Sequence, residues 1–229
     1  MSEKNRDWRV RCAGFEQISG ALICISILAS ILFAGEQAKA QASSVDPAAT
    51  AMPGTTIVIF ADRRMEDGEW TALFAALRSN AVEAAAESKA LRQPFDIVRG
   101  DKVKPGLRVN TAVVVYLHGD CNLAPLPRRT AYGVPLGWVE RADGGIEPFA
   151  HIDCTRIGQV LGPQAKGLSR DDRNAMMAGA VARVILHEWI HIATQSAIHA
   201  DHGIGRAEFG VADLMGGDWG PVARVRGLR

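Results

Sequence analysis

The chain has 229 residues, a formal net charge of +1 at pH 7 and an apolar content of 48%. Residues 1–40 carry five Lys/Arg and four Asp/Glu, so the remaining 189 residues hold 21 of each and are neutral. A neutral chain without a basic run offers no electrostatic reason to bind nucleic acid or an anionic membrane surface. A length of 189 residues is enough for one domain with a sizeable core and hardly enough for two.

Residues 1–40 have the features of a signal peptide. Three arginines precede an uncharged apolar run at 18–34, and Ala38 and Ala40 provide the small residues that a signal peptidase accepts before Gln41. We therefore expect a secreted or periplasmic protein with no stable membrane association after cleavage. The alternative is an uncleaved N-terminal membrane anchor, because the apolar run is close to the length that spans a bilayer.

Two cysteines, Cys121 and Cys154, remain after the presequence is removed. In an oxidising compartment an even pair most simply forms one disulfide, which stabilises the fold by roughly 3–4 kcal/mol on the chain-entropy model. The two residues could instead ligate zinc, but their spacing lacks the CxxC pattern of structural zinc sites. The sequence predicts the disulfide.

The pattern of residues in the mature chain predicts an α+β protein. The polar, proline-bearing segment 41–54 predicts a flexible N-terminus. Periodicity and turn signals then predict a strand at 55–61, an amphipathic helix at 69–89, strands at 95–99 and 111–118, a hairpin at 136–141 and 146–153, and a short helix at 155–161 that ends at Gly162-Pro163. These strands and helices are expected to form a twisted mixed sheet that is backed by helices.

A long apolar helix is predicted at 170–194. Ser169 and Asp172 form a capping box with Asp in place of Glu, and the residues that come after them are apolar on most faces, which indicates a buried helix. Near its end the helix contains the sequence His187-Glu-Trp-Ile-His191. Residues four apart lie one turn apart on the same side of a helix, so both imidazoles can reach one metal ion while Glu188 points toward the same space.

This HExxH pattern predicts a zinc site with His187 and His191 as ligands and Glu188 as the base that takes a proton from water. Four of the six histidines in the chain fall within sixteen residues, which adds to the metal interpretation. A third ligand has to come from beyond the helix. His199 would lie about 12 Å along the axis of a straight helix, so the chain must turn back after Thr194.

The residues themselves leave the third ligand open. His199 and His202 are both candidates, and Asp201 or Glu208 could serve in principle. His202 could also close the site as a fourth protein ligand, and a closed site is typical of structural zinc.

The HExxH of residues 187–191 is the motif of zincin metallopeptidases. The wider segment 183–214, with the stretch 136–154 before it, resembles a group of uncharacterised exported bacterial zincin-like proteins. The resemblance covers roughly residues 111–215 and implies His199 as the third ligand. Together with the predicted strands and helices, it leads us to expect a single zincin-like domain at 55–229. The chain departs from metzincins, which would have Gly and His where it has Thr194 and Ala197. It also lacks a typical thermolysin-like glutamate on a second helix.

The resemblance and the residues together predict a secreted zinc-dependent metallopeptidase that acts on peptide or protein substrates. Glu188 is the expected general base, and Arg206 is a candidate contact for the oxyanion or for a substrate carboxylate. The sequence leaves two alternatives. One is a zinc-binding structural or binding protein without turnover, and the other is a zinc hydrolase that acts on something other than peptides.

Overall fold

A five-stranded sheet lies at the centre of the structure, a computed structural model that describes residues 52–124 and 135–216. The predicted signal peptide at 1–40 lies outside the described residues, as do most of segment 41–54, the greater part of the proline-rich loop 125–135, and residues 217–229. Within the two described ranges, no helix is both long enough and apolar enough to cross a membrane.

Five strands and four α-helices form the described fold. In chain order they are β1 (Met52–Ala61), α1 (Asp67–Glu87), β2 (Phe95–Arg99), β3 (Val109–His118), β4 (Gly137–Ala142), β5 (Gly145–Asp153), α2 (Cys154–Leu161), α3 (Arg170–Thr194) and α4 (Val211–Met215). Short 3-10 turns come after α1, β2 and α2, and another at Gly203–Gly205 precedes α4.

The strand order is β2-β1-β3-β5-β4, with four parallel strands and an antiparallel β4 at one edge. A mixed sheet with packed helices confirms the α+β class. The predicted hairpin is β4–β5, and its two-residue turn uses Asp143 and Gly144, both with positive φ. This is the turn that Asp-Gly favours between twisted antiparallel strands.

One face of the sheet belongs to the hydrophobic core. Alternate residues of a strand lie on the same face, and Ile57, Val115 and Ile152 are fully buried there. They join the buried residues of α1 and α3 in one cluster. The opposite face carries half-buried and exposed side chains, including Phe60 and Trp138.

The structure corrects three predicted boundaries. β1 begins at Met52 rather than residue 55, because Gly54 at φ +86° lets the strand pass the Pro94 carbonyl, where a Cβ would lie 1.9 Å from that oxygen. After α2 the chain does not break at Gly162 but continues as a 3-10 turn, since a proline is tolerated at a first helical position. The first long helix spans 67–87 rather than 69–89.

The predicted disulfide between Cys121 and Cys154 is confirmed. Cys121 lies just after β3 and Cys154 just after β5, and these two strands are parallel neighbours. The bond therefore joins the ends of two adjacent strands through cysteines that are 33 residues apart in sequence.

Candidate metal centre

Helix α3 occupies the predicted residues 170–194 and places the HExxH motif in the core. Ser169 caps its first turn by accepting the Asp172 amide at 3.1 Å. One turn before the motif, the buried Arg183 forms a two-pronged ion pair with Glu83 of α1, at 2.7 and 2.8 Å. The cap, the apolar surface of the helix and this ion pair hold α3 in place beneath the site.

The helix ends at Thr194 as predicted, but the residue that caps this end was not identified from the sequence. Gln195 adopts a left-handed conformation with φ 51°, the role that glycine usually plays after a helix. Its side chain also bonds the backbone of Ile146 on β5 twice, accepting from N at 3.1 Å and donating to O at 2.8 Å. Gln195 thus reverses the chain and attaches the end of α3 to the β4–β5 hairpin.

The two histidines of the motif are buried and their side chains are oriented by backbone carbonyls. His187 Nδ1 lies 2.7 Å from the Ile204 carbonyl oxygen, and His191 Nδ1 lies 2.7 Å from that of Ser196. A carbonyl only accepts, so each Nδ1 must donate its proton. Each ring then presents an unprotonated Nε2, which is the form of imidazole that binds metals.

The two Nε2 atoms are 3.0 Å apart. With both Nδ1 atoms protonated, two lone pairs face the same small volume, an arrangement that is repulsive unless a cation lies there. Burial lowers the pKa of His187 to about 4 and also lowers that of His191, although the carbonyl bonds oppose the effect. Two unprotonated nitrogens that converge in this way are donors that could hold a metal ion.

His199 completes a group of three. Donor atoms of His187, His191 and His199 all lie within 4.8 Å of one another. Among the described residues, this is the one set of three or more His, Cys, Asp or Glu side chains that could hold a metal ion. The His199 ring centroid is 5.3 Å from that of His187 and 4.8 Å from that of His191. His199 itself is exposed, so the group is open to solvent on its side. These three residues could hold a metal ion.

The other ligand candidates stand apart from this group. His202 precedes the Gly203–Gly205 turn and is exposed, as are Asp201 and Glu208, and none of the three belongs to the converging set. The loop instead turns at an Ala200–Arg206 bridge and buries Ile204, whose carbonyl holds His187.

Glu188 is buried, and burial raises its pKa to about 8 in the metal-free protein. It lies against the first residue of β4, where a Cβ on Gly137 would come within 2.8 Å of Glu188 Oε1 and of Val184 Cγ1. Only glycine lets the strand approach this closely. A dication bound nearby would favour the carboxylate form of Glu188 and lower its pKa.

Two arginines, Arg206 and Arg141, have different relations to the site. Arg206 bonds Asp213 of α4 at 2.8 Å, so one of its nitrogens is occupied, and its predicted substrate contact stays a prediction. Arg141 of β4 is exposed, and its charge helps to lower the pKa of His191. Sequence reasoning missed Arg141, Gly137 and Gln195, because nothing in the local pattern places the hairpin beside the helix end.

Comparison with family models, curated proteins and solved structures gave no match for this chain. The resemblance to zincins therefore rests on the HExxH motif and the segments around it. The chemistry of the three histidines and Glu188 is accordingly the basis on which a function can be assigned.

Proposed function

We propose that the protein is an exported zinc-dependent metallopeptidase. The convergence of three imidazole donors, with a buried glutamate directly after His187 on the same helix, carries this proposal. Zinc, when bound, supplies a Lewis acid that lowers the pKa of a coordinated water toward neutrality and polarises a carbonyl. His187, His191 and His199 would hold it.

The donor set supports zinc over harder ions. Three neutral imidazoles are ligands for zinc, copper, nickel or iron, whereas magnesium and calcium prefer oxygen. Three protein ligands with an exposed side at His199 also match catalytic zinc sites, which keep one position open. A structural site would call for a fourth protein ligand, and no such residue joins the group in the described ranges.

Glu188 is suited to act as general base. Glu188 follows His187 directly on α3, and its carboxyl group lies against Gly137 at the start of β4. As a carboxylate it can take a proton from an attacking water and pass it to the leaving amine. Burial keeps this carboxyl group poorly hydrated and raises its pKa.

Strand β4 supports a peptide as substrate. β4 is an edge strand of the five described strands and begins at Gly137, next to Glu188. An extended peptide could pair with the backbone groups of such an edge and bring a carbonyl toward the histidines. Arg141, exposed on this strand, would favour a carboxylate on the substrate.

The test combines metal content and hydrolysis on the mature protein, residues 41–229. We expect one zinc per chain by elemental analysis after dialysis, and cleavage of a denatured protein substrate that stops on chelation and returns with zinc. Glu188→Gln should keep the metal and reduce cleavage by about 10²–10⁴-fold, since it removes only the base.

His202→Ala is the matched control, because it removes a neighbouring imidazole that lies outside the group. It should change neither metal content nor cleavage. Absence of stoichiometric metal in the wild type would refute the proposal. Bound zinc with no cleavage of peptides or proteins, and the same result in Glu188→Gln, would favour a binding or structural role.

A further inference from the structure

A second histidine pair lies on the opposite face of the sheet from the core. His118 ends β3 and His151 lies near the end of β5, and His118 Nε2 is 2.9 Å from His151 Nδ1. The side chains of His118 and His151 are 35% and 15% exposed, so the pair is only partly hydrated. The proposed peptidase site involves neither residue.

Each outer nitrogen of this pair contacts a carboxylate. His118 Nδ1 is 3.0 Å from Asp62 Oδ2, just after β1, and His151 Nε2 is 2.8 Å from Glu140 Oε1 on β4. Four side chains from four strand regions therefore form one continuous chain of contacts, Asp62–His118–His151–Glu140. An ionised carboxylate only accepts hydrogen bonds, so both outer nitrogens must carry protons.

The central contact of this chain is one proton short. Two neutral imidazoles have two protons, and both are used on the carboxylates. The inner nitrogens would face each other at 2.9 Å with lone pairs only. One additional proton turns this repulsion into a hydrogen bond, and it resides on the imidazoles because they are more basic than carboxylates.

Ring geometry indicates a proton rather than a metal ion. The two ring planes differ by 8°, and the ring centroids are 5.1 Å apart, close to the largest separation that a 2.9 Å contact between ring nitrogens allows. The rings therefore lie edge to edge and the inner lone pairs point along one line. A metal would have to push the rings apart, whereas a proton fits between them as they stand.

The surroundings favour a positive charge here. The Trp138 ring is parallel to both imidazoles, with centroid distances of 5.6 Å to His118 and 5.0 Å to His151. An aromatic face stabilises a nearby cation. Tyr116 packs against the His151 ring at 5.2 Å. The charged side chains that contact the pair are those of Asp62 after β1 and Glu140 on β4. At the ends of the neighbouring strands, Asp153 pairs with Arg156 and Asp120 pairs with Arg63.

We propose that His118 and His151 form a proton-binding site that holds a single shared proton and joins β1, β3, β5 and β4 through Asp62 and Glu140. The bound proton makes the contact chain a set of three hydrogen bonds. Its loss leaves two lone pairs opposed and separates the pair. Because Trp138 is adjacent to Gly137, the proton helps to fix the strand that lies against Glu188 on the other face.

Glu140→Gln is the decisive variant, because an amide can donate as well as accept. Gln at 140 would donate to His151 Nε2, and His151 would then donate from Nδ1 to His118 Nε2, so the chain is complete without an added proton. We expect nitrogen NMR of the wild type near pH 7 to show a proton on His151 Nε2 and a scalar coupling between the two inner nitrogens. In Glu140→Gln, His151 Nε2 should lose its proton while the inner coupling remains.

Glu147→Gln is the control, because it changes a β5 carboxyl group that lies outside this chain of contacts. It should keep both the Nε2 proton and the inner coupling of the wild type. Absence of the inner coupling in the wild type, or a proton that stays on His151 Nε2 in Glu140→Gln, would refute the proposal. So would uptake of zinc or copper that a His118→Ala, His151→Ala variant abolishes, because the shared cation would then be a metal.

Discussion

The two histidine pairs of this molecule have nearly the same nitrogen separation, 3.0 Å on α3 and 2.9 Å on the sheet. In both, the outer nitrogens donate to acceptors, so neutral rings would leave the inner nitrogens facing each other with lone pairs only. The acceptors differ. Backbone carbonyls hold the α3 pair, and carboxylates hold the sheet pair.

Ring orientation separates the two pairs further. The planes of His187 and His191 differ by 84°, and a third imidazole lies beside them, so three donors converge. The planes of His118 and His151 differ by 8°, and their lone pairs lie along one line. Three converging neutral donors favour a metal ion, whereas two opposed donors that are held by carboxylates favour a proton. A similar nitrogen–nitrogen distance therefore indicates a metal ion at one pair and a proton at the other.

The largest expected effect is the loss of metal affinity when single histidines are removed from the helix group, compared with removal of one from the sheet pair. His191→Ala and His199→Ala should each lose more metal affinity than the roughly 10–100-fold that accompanies loss of a residue that only orients a ligand. His118→Ala should keep full metal binding, since that residue lies on the other face of the sheet. Competition against a chelator of known affinity measures the difference. Equal loss in all three variants would mean that the metal does not distinguish the pairs.

Removing the disulfide should affect the sheet pair much more than the α3 pair. Cys121 and Cys154 each lie three residues after a histidine of the sheet pair, so the bond holds β3 and β5 together just beyond it. The double change to serine should lower the free energy of unfolding by about 3–4 kcal/mol, as expected for a closed loop of this length. Urea unfolding measures this loss.

In the double serine variant, the metal stoichiometry reports on the helix pair, and the nitrogen coupling between His118 and His151 reports on the sheet pair. We expect the metal to remain and the coupling to weaken. Loss of metal with an intact coupling would show that the disulfide supports the helix site instead.

The smallest expected effect concerns the strand that lies between the two pairs. Gly137→Ala adds a Cβ within 2.8 Å of Glu188 and Val184, so β4 must move away from α3, at a cost of about 1–3 kcal/mol. Gly68→Ala is the control, because nothing lies within 4 Å of its added Cβ on α1. It should be neutral or slightly stabilising. Thermal unfolding compares the two, and equal stability would mean that β4 tolerates the shift.

Movement of β4 should affect the helix site more than the sheet pair. In Gly137→Ala the cleavage activity should fall, because Glu188 is displaced, while metal content stays at the wild-type level. The Trp138 contact with the sheet pair should change only slightly, since its side chain lies on the opposite face. NMR signals of the indole ring would report a larger change if the two faces are tightly coupled.

Much of the helix site could be predicted from sequence. The four-residue spacing of His187 and His191 fixes their relation on any helix, and the Ser169 cap and the apolar run define the helix that carries them. The hairpin and the disulfide were equally accessible, because Asp-Gly favours one turn type and an even cysteine pair in an exported chain favours one bond. These signals are local, or depend on composition alone.

The rest depended on which distant segments become neighbours. His118 and His151 stand 33 residues apart, and nothing in their flanks states that β3 and β5 pair in the register that brings the rings together. Gln195 in a left-handed turn and Gly137 against Glu188 are likewise consequences of where the hairpin meets α3. Covalent geometry fixes spacing along one helix. Contacts between strands are decided only by the packing of the whole sheet, so tertiary structure alone determined the second histidine pair.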